Sequence, residues 1–351
     1  MKNRLLSTIA AVCLLSGTLR AEAQSGYRLK AQFKLGGEGG WDYLAFDSAG
    51  KRLFISRATK VVVVNTQDGS VLGEIPGTAG VHGIALAPDL GKGFTSNGRG
   101  NSVTVFDLKT LKVLSTIKIK GENPDAILYE PATKRVLAFN GKSKDATVID
   151  AQKESVVATI PLGAKPEFAA ADGNGGVFVN IEDTSELVSI DAAKAALVKR
   201  WPLAPCEEPS GLAIDAKNRR LFSACHNKTL AVVDADTGKI VATLPIGQGV
   251  DAAAFDPETM LAFTSNGDGT LTVIHEDSAD AFSVVENAQT QKGARTMALD
   301  TASHDAYLVT ADMKEEAPAA KGERPKRSVR PDTFRLLVMS RDAGSAADSK
   351  K

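Results

Sequence analysis

Thr95-Ser96-Asn97-Gly98 is followed by small residues and a β-branched run that closes on Asp107. The same order returns at Thr264-Ser265-Asn266-Gly267, where the run closes on Glu276. Weaker copies surround both. The residues that end these runs are Asn65, Asp107, Asp150, Asp191, Asp234 and Glu276, spaced by 42, 43, 41, 43 and 42. A near-constant period in the forties, built from short β-like runs and turn residues, predicts an array of blades.

Each copy reads as four strands, A to D. Strand A is short, apolar and rich in small residues. Strand B is the most apolar. Strand C alternates and ends in an acid before a Thr-Gly-Lys type of turn, and strand D alternates again. Strand B recurs at Arg52–Ser56, Gly93–Ser96, Val136–Phe139, Val177–Asn180, Leu221–Ala224, Leu261–Thr264 and Ala306–Val309, which makes seven copies. Strand D recurs at 71–75, 113–117, 156–160 and 240–244, but the seventh copy stops near Ser340 without one. The alternating segment Arg28–Leu35 supplies the missing strand, so that the N-terminus completes the last blade and removes an open edge. The expected fold is therefore all-β: a seven-bladed β-propeller of four-stranded antiparallel blades over 24–340. Asp68-Gly69, Thr237-Gly238 and Gly247–Gly249 sit where the chain must reverse.

Ser-Asn-Gly-Asp-Gly-Thr-Leu-Thr-Val-Ile (265–274) resembles the B–C pattern of the YVTN-type propeller repeat of YncE-like periplasmic proteins. Thr229–Gly247 resembles its C–D pattern, and the resemblance extends over 27–340. It implies a propeller, and it implies either a binding protein or, through related propellers, a lactonase or lyase. It also implies single-stranded DNA as one partner. Fold likeness does not decide between these classes.

Lys+Arg and Asp+Glu are both 42, and aromatic residues make up 5% of the chain. Balanced charge and scarce stacking groups rank a nucleic-acid partner low. Lys2 and Arg4 precede the apolar stretch Leu5–Leu19, and Ala21-Glu22-Ala23 has the small-x-small order of a signal-peptidase site. Residues 1–23 read as a signal peptide cleaved after Ala23, which gives a periplasmic or secreted monomer with no membrane span. The mature chain keeps Cys206 and Cys225. An even count in an exported protein predicts a disulfide, the alternative being two separate buried thiols. Residues 313–331 form a charged, Pro-containing insertion in copy seven, expected on the ring face as a flap or a solvated loop. Residues 341–351 read as a disordered tail.

Propeller geometry brings the starts of strand A to one face. The inner ring predicted there is Asp42, His82, Asp125, Glu167, Ser210, Asp251 and Arg295. A second ring, from the ends of strand B, holds Arg57, Asn97, Asn140, Asn180 with Glu182, His226, Asn266 and Asp312. Two carboxylates about 8 Å apart repel by about 2 kcal/mol at an effective dielectric near 20, so four acids raise one another's pKa or recruit a cation. Hard oxygen donors suit a Ca²⁺-like ion, with Asp42, Asp125 and Glu167 as candidate ligands, or a polar ligand. The alternative is a hydrated channel entrance.

No nucleophile elbow, phosphate loop, dinucleotide fingerprint, haem motif or Cys-x-x-Cys is present. His82 is the candidate general base, while His275 and His304 read as structural or surface residues. The leading expectation is an exported, non-catalytic binding or scaffold protein with no required cofactor, holding a small polar ligand or an envelope partner on the ring face. The alternative is a metal-assisted hydrolase or lyase on the same face.

Overall fold

The computed structural model describes residues 26–316 and 326–341. The signal-peptide reading of 1–23 and most of the tail reading lie outside them. So does the central part of the insertion.

Seven four-stranded antiparallel sheets follow one another along the chain. Blade 1 runs through Leu44–Asp47, Arg52–Arg57, Lys60–Asn65 and Val71–Ile75 as strands A to D. Blades 2 to 6 repeat the pattern, from Val81–Ala87 in blade 2 to Ala281–Gln289 in blade 6. Blade 7 contains Met297–Asp300, Asp305–Thr310 and Arg335–Arg341, and Tyr27–Lys34 is its outermost strand. Every strand A touches the strand A of both neighbouring blades, including blade 7 with blade 1. The ring is closed, as the repeat count requires.

The packing explains the repeat. Strand B is buried along its length because neighbouring blades cover both of its faces. Its third residue is large in every blade: Phe54, Phe94, Leu137, Phe178, Phe222, Phe263 and Tyr307. In six blades the residue paired with it on strand A is alanine: Ala45, Ala85, Ala170, Ala213, Ala254 and Ala298. Strands A crowd the axis and leave room only for a methyl group, whereas strands B stand further out and hold a ring. The core is accordingly divided into seven apolar clusters, one at each seam between blades.

The periodic acid has a local task. Asp150 binds Arg135 at the start of strand B at 2.6 Å and accepts the backbone N–H groups of Gln152 and Lys153 in the C–D turn. Asp234 does the same with Arg220 at 2.8 Å and with Asp236 and Thr237. These bonds hold both carboxyls below the usual range.

Two C–D turns also lock the seams. Gly69 and Gly238 both have φ of +73° and lie under the rings of Phe33 and Trp201 from the preceding blade. A side chain at either position meets both the steric barrier to positive φ and the ring. Trp201 lies inside strand D of blade 4, Ala196–Pro202.

Three further details differ from the sequence reading. The last strand runs to Arg341, one residue into the segment read as tail. The described ends of the insertion are not a free loop, since Met313–Glu316 pairs with Lys326–Val329 as a hairpin. Asn180 occupies the strand position of Ser96, not that of Asn97. Cys206 and Cys225 form a disulfide with a Cα–Cα distance of 5.6 Å. Among the described residues no helix is long and apolar enough to cross a membrane.

Candidate functional site

The inner ring is held by a device that periodicity does not reveal. The register of strand A slips at the ring residue in blades 2 to 6, next to His82, Asp125, Glu167, Ser210 and Asp251. Such a bulge frees the residue from the ladder and re-aims its side chain. Strand B of the preceding blade then fixes the backbone of ring residues. Ser96 Oγ donates to the Asp125 carbonyl, Ser265 Oγ to the Arg295 carbonyl, and Asn180 Nδ2 to the Ser210 carbonyl at 2.8 Å. The serine of the Thr-Ser-Asn-Gly motif is therefore a clamp on the ring.

The side chains meet around one opening. His82 Nδ1 is 2.6 Å from Asp42 Oδ2 and 3.7 Å from Asp125 Oδ1. Arg295 Nε is 2.6 Å from Asp251 Oδ2, and Ser210 Oγ is 3.3 Å from Asp251 Oδ1. Lys165 Nζ is 3.1 Å from Glu167 Oε2 and also binds Glu182. Lys165 was missed by alignment of strand starts because it belongs to the D–A connection, two residues before Glu167.

Electrostatics couple these groups across blades. Burial lifts Glu167 to about 8, with Asp125 adding to the effect. Burial lifts Asp125 to about 6 against the opposing pull of His82. Asp251 is raised by burial despite Arg295. His82 is raised chiefly by its hydrogen bond to Asp42, with Asp125 contributing. Lys165 is drawn down by burial, but Glu167 and Glu182 outweigh that and leave it raised.

Beneath the ring, Tyr43 of blade 1 and Phe168 of blade 4 touch with centroids 5.0 Å apart. These blades stand across the axis from each other, so the contact spans the channel. Burial and the carboxylates of Asp125 and Glu167 push the Tyr43 hydroxyl well above its ordinary value, so it stays neutral. A small cavity beside this floor is lined by Asp42, Asp251 and Thr296, and the buried Thr296 hydroxyl has no hydrogen-bond partner. The opening is a cup with an aromatic floor.

Most of the second ring does not face this cup, Glu182 being the exception through its bond to Lys165. Asn97 is buried and donates to Ser102 and Thr104 of strand C at 3.2 and 2.9 Å. Asn140 donates to Asp145 and Thr147, and Asn266 to Thr270 and Thr272. These amides tie strand B to strand C inside their own blades, because the end of strand B alternates away from the axis. Asp312 pairs with Arg335. His226 lies at the rim, 3.5 Å from Glu208. Arg57 is buried at the seam between blades 7 and 1, outside the ring.

One imidazole and two carboxylates, from Asp42, His82 and Asp125, offer ligand atoms within 4.8 Å of one another. Glu167 is not among them, since Lys165 takes it. A mixed N/O set of this kind suits a divalent transition metal better than Ca²⁺, which prefers all-oxygen cages. A wider groove of about 460 Å³ lies between blades 4 and 5, and its guanidinium is already paired: Arg219 binds Asp172 and Asp236, each at 2.8 Å.

No family model matches the chain. It is 35% identical over 75 residues to the YncE protein of Salmonella typhimurium, described as uncharacterized, and matches that of Salmonella typhi equally. The match spans about a fifth of this chain and of each relative, 21% in both directions. Among solved structures, U3-55K superposes with a TM-score of 0.72 at 9% identity, covering 89% of this chain and 98% of the other. The RRP9 WD40 repeats superpose with a TM-score of 0.73 at 9% identity over 90% and 98%. At that identity the likeness shows the propeller fold alone.

Proposed function

We propose that this chain is an exported, YncE-like propeller of the YVTN type that binds a small polar ligand or a partner loop in the axial cup without transforming it. The observation that carries this reading is the convergence of Asp42, His82, Asp125, Glu167, Ser210, Asp251 and Arg295 above the Tyr43–Phe168 floor. Each blade contributes one polar group, which together make four carboxyl groups, one imidazole, one hydroxyl and one guanidinium, and an aromatic pair spans the axis beneath them. A rigid polar cup of this kind orients donors and acceptors for recognition. The signal-peptide pattern and the disulfide support an extracytoplasmic location. Balanced charge speaks against single-stranded DNA.

Native mass spectrometry of protein purified from the exporting cell tests this. The wild type is expected to carry a stoichiometric small-molecule mass or a co-purified partner, and an Asp42→Asn/Asp125→Asn variant is expected to lose it. An identical spectrum for both rejects the cup as the site.

The Asp42–His82–Asp125 cluster favours one second reading, metal-assisted hydrolysis or elimination with His82 as ligand or base. Elemental analysis decides it. A stoichiometric transition metal that Asp42→Asn removes, together with turnover of a lactone panel, supports the enzyme; metal-free protein inert on that panel rejects it.

A further inference from the structure

Arg57 is a buried cation without an anion among the described residues. It closes strand B of blade 1 and is 4% exposed. Its Nη2 donates to the Glu38 carbonyl at 2.7 Å, and its guanidinium lies 3.7 Å from the centre of the Phe334 ring. Its Nε is buried with no partner. Among the described residues no carboxylate is within ion-pair distance of it. Burial alone moves its pKa, down to about 10, so it remains charged at neutral pH. A cation–π contact offsets only part of the desolvation of a guanidinium. A buried charge without a counter-ion is strongly destabilising.

The guanidinium borders a pocket of about 110 Å³ at the seam between blades 7 and 1. Gly36 and Gly37, both at positive φ, form one wall and bring backbone close without side chains. Gly37 lies beside Nη2, where an added Cβ stands 3.8 Å away. Phe334 and Leu35 supply apolar walls.

We propose that this seam pocket is an anion site that takes the carboxylate group of a small ligand against the Arg57 guanidinium. The fork of a guanidinium matches the two oxygens of a carboxylate. The volume fits such a group and a few waters. Two acids also line the pocket: Glu74, held by Lys60 at 2.6 Å, and the exposed Glu38. Their charge selects a monoanion over a doubly charged phosphate or sulfate. The site is independent of the axial cup.

Acetate is the probe, and the ¹H–¹⁵N signal of the Arg57 side-chain Nε–H is the readout. In the wild type acetate is expected to move this signal saturably, and sulfate to move it less at equal concentration. Arg57→Lys keeps the charge but loses the fork, and is expected to weaken acetate binding about tenfold, read from the Gly36 and Gly37 amides. Arg57→Gln is expected to abolish the response of those amides. The proposal fails if acetate produces no saturable shift in the wild type, or if Arg57→Gln responds as the wild type does. It also fails if Glu38→Gln shifts the acetate-free Nε–H signal as far as acetate does, because Glu38 is then the counter-ion.

Discussion

Tyr43 and Phe168 belong to blades on opposite sides of the ring, yet their rings stand 5.0 Å apart at an interplanar angle of 31°. The contact converts a channel into a cup and gives the polar ring a low-dielectric base. That base explains why burial is the largest influence on Asp125, Glu167 and Asp251.

Phe168→Ala removes half of the floor. Phe168 is only partly buried, so its loss is expected to cost about 2–3 kcal/mol, at or below the range for fully buried phenylalanine. Urea denaturation measures this. The variant should also lower the pKa of Glu167 by admitting water beneath the ring, and an unchanged titration contradicts the role of the floor.

Glu167 keeps its proton longer in the folded protein than in the unfolded chain. Its ionisation therefore opposes folding, with no effect below the unfolded carboxyl value and the full penalty above about 8. Glu167→Gln removes that penalty. Between pH 6 and pH 9 the wild type should lose on the order of 1–3 kcal/mol more stability than the variant. Melting temperatures at both pH values check this, and parallel curves contradict it.

Asn266→Ala leaves the hydroxyls of Thr270 and Thr272 without their amide partner inside blade 6. The expected cost is about 2 kcal/mol in urea denaturation, with no change in the mass carried by the cup. Asp251→Asn should do the opposite, altering ligand retention more than stability. Reversed outcomes restore Asn266 to the site.

The disulfide closes a loop 19 residues apart in sequence at the entry to blade 5. Replacing Cys206 and Cys225 with serine is expected to cost about 3 kcal/mol. Melting under reducing and non-reducing conditions measures the same quantity in the wild type. Free thiols in the purified, unreduced protein contradict the bridge.

Much of this was legible in the repeat. The period located all seven strands B, the N-terminal closing strand and the starts of strand A, because hydrophobic alternation and turn residues are local signals. Alternation does not report a bulge, and one slipped residue changes the face a side chain takes. Hence His82 and Asp125 lie side by side near the axis, whereas the amides of Asn97, Asn140 and Asn266, expected at the opening, bond strand C inside their own blades. Lys165 was overlooked because it precedes its strand. Tyr43 and Phe168 were invisible as a pair because nothing in a sequence says that two strand starts about 125 positions apart face each other across an axis.

The central claim is that ring residues from separate blades act as one electrostatic unit, and the imidazole of His82 reports on it directly. The pH titration of its NMR signal should give a value above that of an ordinary histidine. Asp42→Asn, in blade 1, and Asp125→Asn, in blade 3, should each lower it, Asp42→Asn the more because its carboxylate is 2.6 Å away against 3.7 Å. An ordinary value that neither substitution moves contradicts the account.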